Sequence, residues 1–167
     1  MNRELLLLRH GKSDWNIESD DFNRPLKKRG EKAALRMGEW LLQQNLTPDW
    51  IISSPAIRAL KTTEKVCRAF GSTSGKINFD GRIYQADLDQ LKNVLADCPL
   101  NARRVLLVGH NPELEVLLKY LVKEIEIPED GKLMVTATLA RLRMPDDWND
   151  LGLHCAELLS LKRAREL

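Results

Sequence analysis

The sequence predicts an α/β protein, a three-layer α/β/α sandwich around a mostly parallel central sheet with an antiparallel edge. Three observations predict it. Leu5-Leu6-Leu7-Leu8 and Val105-Leu106-Leu107-Val108 are short runs with no polar position, as expected of strands buried on both faces. Each run is stopped by a histidine and a glycine, Arg9-His10-Gly11 in one case and Gly109-His110-Asn111 in the other. Around them, segments of helical apolar spacing alternate with further short apolar runs, the rhythm of βαβ units. The 167 residues, 43% of them apolar, suffice for one core and are short for two, so residues 1–167 read as a single domain.

Taken in order, the first run is compatible with a helix, but a stop at Gly11 after so few residues favours a strand. Lys12 to Lys28 is polar and irregular and reads as a long loop over the C-terminal edge of the sheet, a place where function concentrates. From Gly30 to Gln44 the apolar residues Ala34, Met37, Trp40, Leu41 and Leu42 follow helical spacing, and Asn45, Thr47 and Pro48 end the helix. Trp50 to Ser53 is a second strand. Ser54-Pro55 supplies the cap and first residue of a helix to about Phe70.

Gly71 to Gly75 forms a polar turn, and Ile77 to Phe79 a weak third strand. Asp87 and Gln90 have capping-box spacing, ahead of a helix with Leu88, Leu91, Val94 and Leu95 on its buried side, closed by Pro99. After the Val105 strand, Asn111-Pro112 repeats the cap-and-proline start for a helix to about Val122. Leu133 to Met144 and Cys155 to Leu161 read as two further strands, at least one of them antiparallel, with a short helix at Leu158-Leu159-Leu161 as the alternative. The charged tail from Lys162 to Leu167 is expected to be solvated.

A net charge of +2, from 26 basic and 24 acidic residues, gives no global field for nucleic acid or membrane binding. Cys67, Cys98 and Cys155 are odd in number and lack metal-ligand spacing, which points to free thiols and a reducing compartment. With neither a signal-peptide pattern nor an apolar run near the roughly 20 residues that span a bilayer, a cytoplasmic protein is expected.

The chain has three histidines, and two stand at matched strand ends. A lone histidine is more often a surface or satisfied core residue, but that reading would have to explain the coincidence twice. His154, in a turn-rich segment, is given no role. In adjacent parallel strands the ends are about 4.8 Å apart, so His10 and His110 would face each other across a gap the size of one small anion. Open α/β sheets bind their ligands in that crevice. Arg9 reaches the same edge, and Arg58 lies in the first turn of the Ser54-Pro55 helix, where free N–H groups favour an anion. Two arginines and two histidines suit a phosphoryl group: an imidazole attacks phosphorus and fixed cations stabilise the equatorial oxygens, with neither metal nor cofactor required.

Arg9-His10-Gly11 after a leucine strand, Ser54-Pro55 with Arg58, and Gly109-His110 after a second strand together resemble the histidine phosphatase superfamily, the branch 1 or phosphoglycerate mutase-like group. The resemblance covers nearly the whole chain. Its length and the segment Asn23-Arg24-Pro25-Leu26, followed by Arg29-Gly30, resemble the SixA-like phosphohistidine phosphatases more than the mutases. The resemblance implies that His10 is the nucleophile and that Arg9, Arg58 and His110 hold the transferring group. Gly11, Ser13, Asn16 and Asn111 are the further phosphate- or substrate-binding candidates; for Ser13 and Asn16, ordinary loop-turn chemistry is the competing reading.

Larger relatives carry a glutamate acid in an insertion after the second arginine, whereas this chain has Tyr84-Gln85-Ala86 in the corresponding region. Asp80, Asp87 and Glu113 are the acids that remain, each with a turn, cap or helix-dipole role as the competing reading. A protonated phosphoimidazole departs with less help than an alkyl phosphate does. The leading expectation is therefore a cofactor-independent phosphatase for phosphohistidine on a protein. The alternatives are a phosphatase for a small phosphomonoester such as a sugar phosphate or nucleotide, and a non-catalytic phosphate-binding module.

Overall fold

The computed structural model describes residues 2–71 and 76–167, so most of the polar turn expected after Gly71 lies outside the described residues. One six-stranded sheet, with strand order β3-β2-β4-β1-β5-β6, organises the chain. The strands are β1 (Arg3–Arg9), β2 (Trp50–Ser53), β3 (Ile77–Phe79), β4 (Arg104–Gly109), β5 (Thr138–Met144) and β6 (Glu157–Arg163). Strands β1 to β4 are mutually parallel; β5 pairs antiparallel with β1, and β6 antiparallel with β5. This is the expected parallel sheet with an antiparallel edge.

The four leucines of β1 show why the run carries no polar position. Strand side chains alternate between faces, and Leu5 and Leu7 enter one core while Leu6 and Leu8 enter the other. The first core is completed by helices α3 (Leu88–Ala96) and α4 (Glu113–Leu121), the second by α1 (Lys28–Gln43) and α2 (Ile57–Ala69). β4 divides likewise, with Val105 and Leu107 on one side and Leu106 and Val108 on the other. Truncating any of these fully buried leucines to alanine is expected to cost about 2–5 kcal/mol.

Several local expectations need correction. Helix α2 begins at Ile57, not Pro55, with Ala56 at the cap position and no side-chain cap. The Ser54 hydroxyl accepts the Ala56 N–H at 3.2 Å and meets His110, so it closes a turn ahead of the helix and does not cap it. Helix α4 likewise begins at Glu113; the Asn111 amide is committed to Glu115 and to the Met134 carbonyl. The Asp87–Gln90 capping box is present, with bonds of 2.8 and 2.9 Å.

Leu42, which shares the helical apolar spacing of α1, is 48% exposed. Residues 133–137 precede β5 as a connecting segment, and Leu158 to Leu161 lie in strand β6, not in a helix. The tail is not a solvated extension. Arg163 forks onto Asp130 at 2.7 and 2.9 Å, and Ala164 is buried in a final 3₁₀ turn, Ala164–Glu166. All three cysteines are free thiols. Among the described residues, no helix is long and apolar enough to cross a membrane.

Candidate active site

The sheet register delivers the two histidines to one place. β1 and β4 pair in parallel with Leu8 opposite Val108 and Arg9 opposite Gly109, so His10 and His110 leave the sheet side by side. The His10 N–H donates to the Gly109 carbonyl at 3.2 Å and closes the two strand ends together. Their rings sit 5.3 Å apart at 55°, each less than a tenth exposed. On the other side of β4, β2 ends at Ser53, and its Ser54 N–H donates to Val108. That places Arg58, one residue into α2, over the same edge.

His10 is held by its own loop. Its Nδ1 lies 2.7 Å from the Gly11 carbonyl, which can only accept, so Nδ1 carries the proton and Nε2 keeps its lone pair. Gly11 is fixed in turn: its N–H donates to Thr62 Oγ1 on α2 at 3.0 Å. A Cβ at Gly11 would lie 2.7 Å from the Gly30 carbonyl of α1, and one at Gly30 would lie 2.4 Å from the Lys12 carbonyl. The histidine loop and the start of α1 are thus in backbone contact that only glycine permits.

His110 is held differently. Its Nε2 is 2.8 Å from Ser54 Oγ, and its Nδ1 is buried without a hydrogen-bond partner. Burial is the main cause that pushes the His10 imidazole down to about 3, opposed by the Gly11 bond and reinforced by His110, Arg58 and Arg9. Burial, then Arg58, pushes His110 down to about 4, against the pull of Asp21. Both rings are neutral at pH 7.

A cavity of about 350 Å³ opens on these rings, lined also by Arg9, Lys12, Arg24, Arg58, Tyr84 and Glu113. Two of its cations, Arg24 and Arg58, are held by Asp21. This carboxylate accepts Arg24 Nη2 at 2.7 Å, Arg58 Nη2 at 3.1 Å and the Tyr84 hydroxyl at 2.6 Å, while its carbonyl accepts Arg58 Nη1 at 2.6 Å. The Tyr84 bond first, then Arg24 and Arg58, hold the Asp21 carboxyl far below the usual carboxylate range. The Arg24 guanidinium also lies 3.5 Å over the Trp15 ring and donates to Ser13 Oγ at 3.3 Å. Arg9 donates to the Met134 carbonyl at 3.0 Å, on the segment that leads into β5.

Of the residues expected at the site, Arg9, His10, Ser13, Arg58, His110 and Asn111 line this cavity. Gly11 stands behind it, between Thr62 and Gly30. Asn16 is exposed, donates its backbone N–H to Asp14 and is not among the lining residues. Of the three acids, Asp80 is held by Arg82 and Asp87 by its capping box; only Glu113 lines the cavity, where its Oε2 is buried without a partner. Sequence reasoning missed Asp21, Tyr84 and the Ser54 contact to His110. Asp21 meets partners 37 and 63 positions away, for which no local pattern gives a signal. Arg24, in the segment Asn23-Arg24-Pro25-Leu26, joins the site through Asp21 and Ser13.

Paired neutral imidazoles among guanidinium groups, at the C-terminal end of a parallel sheet, give an α/β protein a cavity with the chemistry to hold an anion. The chain belongs to the histidine phosphatase superfamily (branch 1), whose sequence model matches residues 5–93, more than half of its length. It is 31% identical over 113 residues to a "Probable phosphoglycerate mutase GpmB" from Citrobacter koseri, an alignment covering 64% of this chain and 50% of that protein. The chain spans half or less of the length of such curated relatives. Over nearly its whole length it is similar to two solved structures described as proposed SixA phosphohistidine phosphatases. The one from Nakamurella multipartitia has 25% identity and a TM-score of 0.83, covering 98% of this chain and 96% of that one. The one from Agrobacterium tumefaciens has 26% identity and a TM-score of 0.78, covering 96% and 97%. The fold is SixA-like.

Proposed function

We propose that this protein is a phosphatase that acts through a phosphohistidine on His10, without a cofactor, and that its substrate is phosphohistidine in another protein. One observation carries the reading. The His10 ring is neutral, its Nδ1 proton is spent on Gly11, and its opposite nitrogen shares a cavity with His110, Arg9 and Arg58.

In the first step Nε2 attacks phosphorus and the bond to the substrate's imidazole nitrogen breaks; that nitrogen keeps the bonding pair and, with the ring already protonated at its other nitrogen, leaves as a neutral imidazole. The two arginines balance the charge on the equatorial oxygens, and the neighbouring His110 donates to one of them. Water then attacks the phosphoenzyme, releasing inorganic phosphate and restoring His10. A charged imidazole needs little acid assistance to leave, which suits a cavity whose Asp21 is occupied by three donors. The full-length likeness to SixA proteins supports this substrate class.

A second reading rests on Glu113. An alkyl or sugar phosphate needs a proton on its leaving oxygen, and Glu113 is the lining carboxylate with an unpartnered oxygen. Comparing turnover of a phosphohistidine peptide, p-nitrophenyl phosphate and a panel of metabolite phosphates separates the two. Highest kcat/KM on the peptide, unchanged by Glu113→Gln and by EDTA, is the expected result. Preference for a metabolite phosphate together with strong loss in Glu113→Gln would replace the first reading by the second. Rapid quenching with labelled substrate should place an acid-labile, base-stable phosphoryl group on His10; its appearance on another residue would end the assignment.

A further inference from the structure

Beside the histidine cavity lies a second one, of about 390 Å³, which shares Lys12 and Thr136 with it. Its wall is the outward face of α1, where Arg29, Lys32 and Arg36 recur at helical spacing, and Arg165 of the final turn stands opposite. Five cations therefore surround this cavity, and among the described residues no carboxylate lines it. In a chain whose net charge is only +2, this is a strong local concentration. Of the five, Arg165 alone has an ion pair among the described residues, with Asp130 at 3.4 Å. The opposite end of the sheet differs: Arg104 and Arg141 there converge on Glu4 at 2.8 and 2.6 Å. The floor is apolar, formed by Ala33, Val135, Ala137 and Ala164.

Arg29 to Arg36 spans seven residues of helix, about 10 Å at 1.5 Å per residue. That is too long for one phosphate to bridge, and equals about three residues of extended chain at roughly 3.3 Å each. A row of unpaired cations on an apolar floor, adjoining the histidine cavity at Lys12 and Thr136, matches carboxylates spaced along a polypeptide.

We propose that this cavity docks an acidic segment of the phosphorylated protein, adjoining the residue whose phosphoryl group enters the histidine cavity. The proposal rests on the protein-substrate reading above, and it is tested by binding, without turnover. The probe is a fluorescein-labelled unphosphorylated peptide with a run of Asp and Glu beside one histidine; its counterpart has alanine in place of the acids. The intact protein should bind the acidic peptide at least about tenfold more tightly than the alanine one, with affinity falling as salt rises.

The double variant Arg29→Glu/Arg36→Glu, changed only at exposed positions, should lose most of that preference while its p-nitrophenyl phosphate turnover stays unchanged. Equal binding of the two peptides, or undiminished preference in the double variant, overturns the proposal. So does calorimetry that finds two sites for inorganic phosphate in the wild type and one in the double variant, with peptide binding unaltered, since the cavity would then hold a free small anion. Absence of phosphohistidine turnover alongside intact peptide preference would instead refute the substrate reading and leave the docking cavity standing.

Discussion

His10 and His110 stand at the same register position of adjacent strands, yet they are wired in opposite ways. His10 spends Nδ1 on a backbone carbonyl of its own loop, which fixes its tautomer by main-chain geometry and presents Nε2. His110 spends Nε2 on the Ser54 side chain, and its Nδ1 has no partner. A backbone acceptor dictates where the proton sits, whereas a hydroxyl can donate or accept. The difference teaches that equal strand-end placement does not mean equal chemistry. His10 presents a lone pair at Nε2, as the proposed nucleophile requires, and His110 has one ring nitrogen on a hydroxyl that can donate or accept.

The largest expected effect follows directly. His10→Ala should abolish turnover and covalent labelling, while His110→Ala should slow turnover by ~10²–10³-fold and leave trace label, as loss of one transition-state donor does. Equal losses in steady-state kinetics and quench labelling would erase the distinction between the two rings.

Next in size is the arginine that both rings face. Inorganic phosphate should raise the melting temperature of the wild type by mass action and barely raise that of Arg58→Ala. Undiminished protection in a thermal-shift titration would place the anion elsewhere.

Ser54→Ala sharpens the comparison further, because it removes the side-chain tether of His110 while His10 keeps its backbone one. A loss of about tenfold or less in kcat, with labelling still on His10, is expected, and Ser54→Thr should restore part of it. No change in either would show that the hydroxyl does not aim the ring.

The smallest effect is the pH response of the two rings in the ligand-free protein. With the folded values near 3 and 4 and the unfolded value about 6.5, the unfolded chain binds protons first as pH falls. The stability contributed by these two neutral rings is therefore complete above about pH 6.5 and is lost progressively as pH drops toward 4 and 3. Ring NMR signals of His10 and His110 should not titrate between pH 5 and 8, and bound phosphate should move His110 upward more than His10. A midpoint near 6.5 for either ring in the free protein would mean that burial does not control it.

The apolar runs, helical stripes, capping box and glycine stops were legible in the sequence because each reports backbone geometry over a few neighbouring residues. The four leucines of β1 could announce a strand buried on both faces since side-chain alternation is a property of the strand itself. Local hydrogen bonding was less legible: Ser54 and Asn111 have capping chemistry, but longer-range partners, His110 and Met134, claim it.

The sequence by itself determined that two strands deliver two histidines to strand ends and that an arginine follows at a third. Only the tertiary structure decided that β2, β4 and β1 lie side by side, because strand order is set by packing helices on both faces and leaves no mark on any one segment. The same holds for Asp21. It binds Arg58 and Tyr84 across 37 and 63 residues, at distances of 3.1 and 2.6 Å that exist only once loop, helix and sheet edge have come together.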